Sequence, residues 1–289
     1  MDFQTIKKIS KKLKYLRNHA NRSGNPERNG GQRVILTYHG LSESPKFNCV
    51  AQSLFRDQIS WLKERYTVIP LSDLVEPVLS SKQKTSIDYA SITFDDAYDN
   101  FSELALPILQ EYKCHATVFV PSGKVGLYND WDEGINGFHR MTIMSYDTLC
   151  QLPKEHVEIG SHGISHRPLN RLTPNEVERE LVESRLHIEQ NTGRPVNFFA
   201  FPHGVYPFSR KIKLVNEGNR LMGGYKAACT TWWGRYNSLK EISMLRRIGL
   251  WDCDIFEDFT DKLNGYYDWL EKKEALGRLV KRVKSYLLF

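Results

Sequence analysis

The sequence predicts an α/β fold, a (β/α) barrel of parallel strands, on three observations. Short β-rich runs alternate with longer helical patterns along the body of the chain, as parallel βα units require. Seven or eight such units lie between residues 33 and 250, a number that favours a barrel over an open sheet. Polar and titratable residues gather where the strands end, which is the rim on which such barrels carry their chemistry.

The strand segments, in order, are RVILTY (33–38), TVIPL (67–71), ASITF (90–94), ATVFVP (116–121), HVEIGS (156–161), NFFAF (197–201), YKAACTT (225–231) and MLRRIGL (244–250). Each is apolar or β-branched and bounded by polar or turn residues. The helical segments fall between them. SLFRDQISWLKERY (53–66) places apolar residues at 54, 55, 59 and 62, and ELALPILQEYK (103–113) follows the third strand. TPNEVERELVESRLHIEQNTG (173–193) opens on a Thr-Pro cap and closes on Gly193, the residue types that start and stop helices.

Composition bounds the function. The chain has 289 residues, 40% hydrophobic and 26% charged, an ordinary globular balance. The net charge of +6 is made of +6 over residues 1–22, +5 over residues 272–289 and −5 over the rest. The basic character belongs to the two ends, so a nucleic-acid enzyme with a basic site is not expected. Residues 21–32, NRSGNPERNGGQ, read as a linker. The expected organisation is a basic helical extension with linker (1–32), a catalytic barrel (33–271) and a basic amphipathic C-terminal helix (272–289). Five scattered cysteines without a CxxC pair argue against a zinc ribbon or a disulfide framework. Of these, Cys114, Cys150 and Cys229 read as core residues. No transmembrane run and no apolar signal core are visible, so a cytoplasmic location is expected.

The chemistry is expected at five strand ends. These carry His39, the pair Asp95-Asp96, SHGISH (161–166), FPHG (201–204) and Arg246-Arg247. Two adjacent carboxylates after a buried strand repel each other and are costly to desolvate. They call for a cation, a metal or a proton-transfer role. His162 and His166 stand at i, i+4, which on one helical turn puts both imidazoles on one side, as a shared metal requires. Two histidines and one carboxylate make a ligand set with coordination positions open for water and substrate. Adjacent residues at a strand end point in different directions. One aspartate can therefore ligate while its neighbour accepts a proton from water acidified by the ion. The plainer alternatives are two unrelated histidines and a helix N-cap with its neighbour.

TFDDAYDN, SHGISH and FAFPHG resemble, in order, the three leading motifs of the polysaccharide deacetylases, carbohydrate esterase family 4. The resemblance spans residues 33–251. It implies a distorted (β/α) barrel and metal-dependent removal of N-acetyl groups from amino sugars. It makes Asp95 the general base and Asp96, His162 and His166 the metal ligands. The turn Pro202-His203-Gly204 would bind substrate, with the His203 backbone N–H on the oxyanion. Three positions depart from the family pattern. Ala97 replaces a glycine. Ala200 replaces the arginine that orients the catalytic carboxylate, a role then expected of Arg247 or Arg246, with a purely structural ion pair as the alternative. No C-terminal Leu-x-x-His supplies an acid. His39, in ILTYHG, is the expected substitute, and its Tyr-His resembles the branch that acts on poly-N-acetylglucosamine. The insert GLYNDWDEGINGFHR (126–140) and the pair Trp232-Trp233 offer aromatic faces to sugar rings or to packing.

The expected cofactor is one divalent metal ion, zinc first, with Co, Ni, Mn or Fe also compatible with the donors. The expected partner is a glycan bearing N-acetylated amino sugars, as polysaccharide, oligosaccharide or lipid-linked intermediate, with no nucleic acid. Two rival readings are a catalytically silent glycan-binding module and a non-haem metal oxygenase. Residues 3–17 and 276–287 each place apolar residues along one helical face among lysines and arginines. Such helices either pack on the barrel or lie on an anionic membrane surface.

Overall fold

Strand β1 (Arg33–Tyr38) is buried at every residue but the first, as expected of an apolar strand covered on both faces. It lies in a computed structural model that describes residues 31–78, 86–207, 214, 221–271 and 273–274. The remaining strands are β2 (Gly40–Ser42), β3 (Cys49–Ala51), β4 (Thr67–Val68), β5 (Tyr89–Phe94), β6 (Ala116–Val120), β7 (Val157–Ser161), β8 (Phe198–Ala200), β9 (Ala227–Cys229) and β10 (Ile248–Gly249). The helices are α1 (Gln52–Arg65), α2 (Leu71–Asp73), α3 (Leu106–Glu111), α4 (Tyr146–Gln151), α5 (Pro174–Thr192) and α6 (Phe256–Asn264).

Eight strands form one parallel sheet in the order β10-β1-β5-β6-β7-β8-β9, with β4 beside the start of β5. Residues 242–250 carry the curl round to the first strand. On one side Leu245 N–H donates to Ala228 O (2.8 Å) and Thr230 N–H to Leu245 O (2.8 Å). On the other, Ile248 pairs with Leu36, and Leu250 N–H donates to Thr37 O (2.9 Å). The result is a distorted (β/α) barrel. The predicted strand 244–250 keeps only Ile248–Gly249 as regular pairing. Arg246 N–H is diverted to the Asn237 side chain (2.8 Å) and Arg247 N–H to Trp232 O (2.8 Å).

Helix α5 follows its sequence signals closely. Thr173 and Glu176 form a reciprocal capping box, and Gly193 ends the helix at φ 62°. Helix α3 is preceded by a π-helical turn, Phe101–Ala105. Pro107 lacks the N–H that would continue the ordinary ladder through this turn. Gly31 and Gln32, assigned to the linker, are instead buried. Gln32 N–H donates to Asp88 (2.7 Å), and Tyr66 OH donates to the Gln32 side chain (2.8 Å). Cys114 and Cys229 are buried as expected. Cys150 is exposed, because α4 turns Leu149 inward and leaves its neighbour on the solvent face. The basic amphipathic segments of residues 1–22 and 275–289 lie outside the described residues. No helix among the described residues is long and apolar enough to cross a membrane.

Candidate metal and catalytic site

The C-terminal ends of β1, β5, β7 and β8 meet at one rim. Strand β5 delivers Asp95 and Asp96, each 2% exposed. Asp95 N–H donates to Tyr38 O (2.9 Å), which fixes the strand end. Asp96 (φ 71°) and Ala97 (φ 53°) are both in the left-handed region, so the backbone swings sharply and the two carboxylates part. A non-glycine residue there is strained by roughly 1–2 kcal/mol. Ala97, at the position where a glycine was expected, therefore sits in a conformation that glycine adopts more readily.

His162 and His166 do not lie on a helical turn. They flank a loop with Gly163 at φ 79° and His166 at φ 59°. Buried Glu180, reaching over from α5, pins that loop. It accepts from Ile164 N–H (2.5 Å), Ser165 N–H (3.1 Å) and the Ser165 hydroxyl. A Cβ on Gly163 would stand 2.7 Å from the Glu180 carboxylate, so glycine is required there. His162 Nδ1–H donates to Ala200 O at 2.8 Å. Its Nε2 lone pair is thereby aimed into the site, the arrangement by which ligating histidines are oriented.

The three expected ligands converge. Asp96 Oδ1 lies 3.4 Å from His162 Nε2 and 3.1 Å from His166 Nε2. One donor atom from each residue falls within 4.8 Å of the others. Burial chiefly pushes the His162 imidazole down to about 4, so it is neutral near pH 7. Burial lowers the His166 value as well. For Asp96 burial works the other way, but the imidazoles of His166, His39 and His162 outweigh it and hold the carboxyl well below its usual range. Asp96 Oδ1 is buried and has no hydrogen-bond partner among the described residues. A buried carboxylate oxygen facing two imidazole nitrogens is a costly arrangement on its own, and a cation among them resolves it. The donor set, two nitrogens and one oxygen, fits a divalent ion.

Asp95 has a different environment. Arg247, 1% exposed, grips it through two parallel bonds of 2.7 Å, to Oδ1 and Oδ2. Arg247 is fixed in turn by Thr230 O (2.8 Å) and Thr93 Oγ1 (3.2 Å). Burial raises the Asp95 carboxyl, but Arg247, with smaller help from His162 and His39, outweighs it and leaves the value lowered. The neighbouring Arg246 points away, to Glu241 (2.5 Å) and Glu271. Arg247 thus stands where the side chain of Ala200 provides no cation.

The other expected residues surround this pair of centres. His39 follows β1, whose last residue, Tyr38, is paired with Phe94 at the end of β5. His203 (φ 55°) places its ring 4.8 Å from that of His166. Pro202 and Gly204 are buried beside it. A Cβ on Gly204 would fall 1.9 Å from Thr231 Oγ1, which admits only glycine. Trp232 is half-buried, with its ring 6.1 Å from Tyr206. Trp233 packs inward against Tyr267.

Sequence reasoning did not single out three residues that the fold brings here. The insert folds back so that Trp131 stacks on His166, centroids 3.8 Å apart and planes 23° apart. Its neighbour Asp132 is buried, and burial together with the Asp96 charge raises its carboxyl to about 6. Trp251 stacks on His39 at 5.2 Å. The aromatic run of the insert was the signal for the first of these. Nothing in the sequence marked the other two.

A family model for polysaccharide deacetylases matches residues 82–217. That span holds both aspartates, both loop histidines and Pro202-His203-Gly204, but not His39, Trp232 or Arg247. The YxkH protein of Bacillus subtilis is 26% identical over 192 residues, 65% of this chain, and the chain spans 62% of that relative's length. The poly-beta-1,6-N-acetyl-D-glucosamine N-deacetylase of Staphylococcus aureus is 27% identical over 213 residues, 68% of each chain. The Streptococcus pyogenes deacetylase PplD, solved with acetate, superposes with a TM-score of 0.63. It covers 81% of this chain and 99% of its own at 20% identity, a likeness of fold. With its motif residues assembled on that fold, the chain carries a polysaccharide deacetylase domain over residues 82–217.

Proposed function

We propose that this protein is a metal-dependent N-deacetylase of a glycan carrying N-acetylated amino sugars. The observation that carries the proposal is the convergence of Asp96, His162 and His166 beside an Asp95 clamped by Arg247. A divalent ion on those three ligands supplies Lewis acidity toward an amide carbonyl and acidifies water to a pKa of roughly 7. Zinc suits the donors best, and Co, Ni, Mn and Fe are compatible.

The chain's own groups divide the remaining work. Asp95, kept anionic and oriented by Arg247, takes the proton of the attacking water. The His203 backbone N–H donates to the oxyanion that develops on the acetamide. His39 protonates the leaving nitrogen. Pro202 and Gly204 hold the turn, and Trp232 offers a face to the sugar. Acetate and a free amino sugar are released. Similarity to the Staphylococcus aureus poly-beta-1,6-N-acetyl-D-glucosamine N-deacetylase supports an N-acetylglucosamine polymer, oligomer or lipid-linked form as substrate.

The test is incubation of metal-loaded protein with a panel of N-acetylated glycans, with acetate assayed in the absence of oxygen. Acetate release supports the proposal. A requirement for oxygen would favour an oxygenase, and tight glycan binding without turnover a silent binding module. His39→Ala is expected to lower the rate by ~10²–10⁴-fold with metal content unchanged, and to flatten the alkaline limb of the pH profile. A near-normal rate would remove His39 from the acid role. Replacing His162 or His166 by Ala is expected to weaken metal binding by ~10²-fold or more, beyond the loss that follows removal of an outer hydrogen-bond partner. Full occupancy in the double variant, measured by elemental analysis, would overturn the ligand assignment. Peripheral docking on a cytoplasmic membrane face is carried by the basic ends alone. Its test is salt-sensitive co-sedimentation with anionic vesicles, which the chain lacking residues 1–22 and 272–289 must not show.

A further inference from the structure

His39 needs a fixed ring to deliver a proton in one direction. A histidine that works this way is usually held by a hydrogen bond to its second ring nitrogen. Here Nδ1 of His39 is buried and has no hydrogen-bond partner among the described residues. The contact the structure does give the ring is the indole of Trp251, at 5.2 Å between centroids and 29° between planes. Offset stacking of this kind is favourable and directional.

The turn that carries the indole is itself held. The Trp251 backbone N–H donates to Asp254 Oδ2 (2.8 Å). The same carboxylate oxygen receives Lys262 Nζ at 2.5 Å, and that ammonium also donates to Gly249 O (2.8 Å). Asp254 is 8% exposed and Lys262 4% exposed. A buried ion pair of this kind costs desolvation and is weak evidence of a stabilising role. Nor does the proposed chemistry use it. What it does geometrically is tie both backbone ends of the turn 249–254 to α6, which carries Lys262. Gly249 leaves the space the indole occupies, since a Cβ there would stand 2.9 Å from Trp251 Nε1. Clamp, gap and stack form one unit that ends on His39.

We propose that Trp251 is the positioning residue of His39, with Asp254 and Lys262 as the clamp that fixes the backbone of the turn carrying its indole. This rests on the reading of His39 as the acid. Trp251 acts through its stack on His39, so its effect is expected on kcat. The flat indole gives the ring its orientation.

The experiment compares Trp251→Phe, which keeps an aromatic face, with Trp251→Leu, which fills space without one, in the full metal-loaded chain. Trp251→Leu is expected to lower kcat by ~10–10²-fold, the scale of a small misplacement of a reacting group, with KM and metal content unchanged. Trp251→Phe is expected to restore most of that loss. Lys262→Met is expected to fall in the same direction as Trp251→Leu. A second readout needs no turnover. The His39 ring protons, identified by their absence in His39→Ala, are expected to show an upfield ring-current shift in proton NMR. The shift is retained in part by Phe and lost in Leu. Equal kcat in the Phe and Leu variants, or His39 signals that ignore the substitution, would overturn the inference. A wild type that releases no acetate, or a His39→Ala variant of normal rate, would instead overturn the proposed reaction. In that case the NMR signals alone decide whether Trp251 holds the ring.

Discussion

Asp95→Asn is expected to lower deacetylation by ~10²–10⁴-fold, the usual worth of a positioned general base, while metal binding stays at the wild-type level. The two adjacent aspartates have separate partners. Asp96 faces His162 and His166, whereas both oxygens of Asp95 are taken by Arg247. An amide at position 95 keeps the shape and one acceptor but cannot take a proton from water. Asp96→Asn is expected to show the reverse pattern, with metal affinity falling first and activity following it. Calorimetric metal titration beside acetate assays on both variants separates the two roles. Identical behaviour would mean that the roles are not divided.

Arg247→Ala carries the second large effect, on stability as well as rate. The guanidinium is buried and shares two 2.7 Å bonds with a buried carboxylate. Removing one member of such a pair leaves an uncompensated charge and costs ~3–5 kcal/mol. The sign with pH follows from the lowered Asp95 value. A depressed carboxyl stabilises the fold above its unfolded value, roughly pH 4, and loses that contribution as pH falls through the folded value. The gap between wild type and variant is therefore expected to be fully open near pH 7 and to close only in acid. Denaturant unfolding at several pH values measures it. Arg247→Lys, which keeps charge but not the two-bond fork, is expected to recover only part of the loss. A pH-independent gap of less than ~1 kcal/mol would place this ion pair among the weak ones.

The legible part of this protein was its pattern. Apolar runs ending in Asp95-Asp96, Ser161-His162 and Phe201-Pro202 marked strand ends, and parallel topology gathers strand ends at one rim whatever their separation in sequence. The i, i+4 histidines were read as a helical pair. They lie instead on a loop that Glu180 pins from α5, a tertiary contact that spacing alone does not encode. Arg246 and Arg247 were interchangeable in sequence. On an extended segment adjacent side chains point to opposite faces, and only the register against β9 sends Arg247 inward to Asp95 and Arg246 outward to Glu241. Asp132 and Trp251 were not legible, and Trp131 only as one aromatic of the insert 126–140, because each reaches the site through a loop whose path is set by packing. Cys150 was misread for a simpler reason. A short helix with a single buried residue, Leu149, leaves too little periodicity to tell its inner face from its outer one.

The central claim is that hydrolysis of an N-acetyl group depends on a metal held by Asp96, His162 and His166. The most direct measurement is the yield of acetate and of free amine from an N-acetylglucosamine oligomer. It is made on the protein as isolated, after chelation, and after reloading with zinc. The account predicts equal amounts of acetate and amine, their loss on chelation and their return on reloading. It also predicts that reloading fails to restore activity to His162→Ala. Undiminished acetate release from fully chelated protein would contradict it.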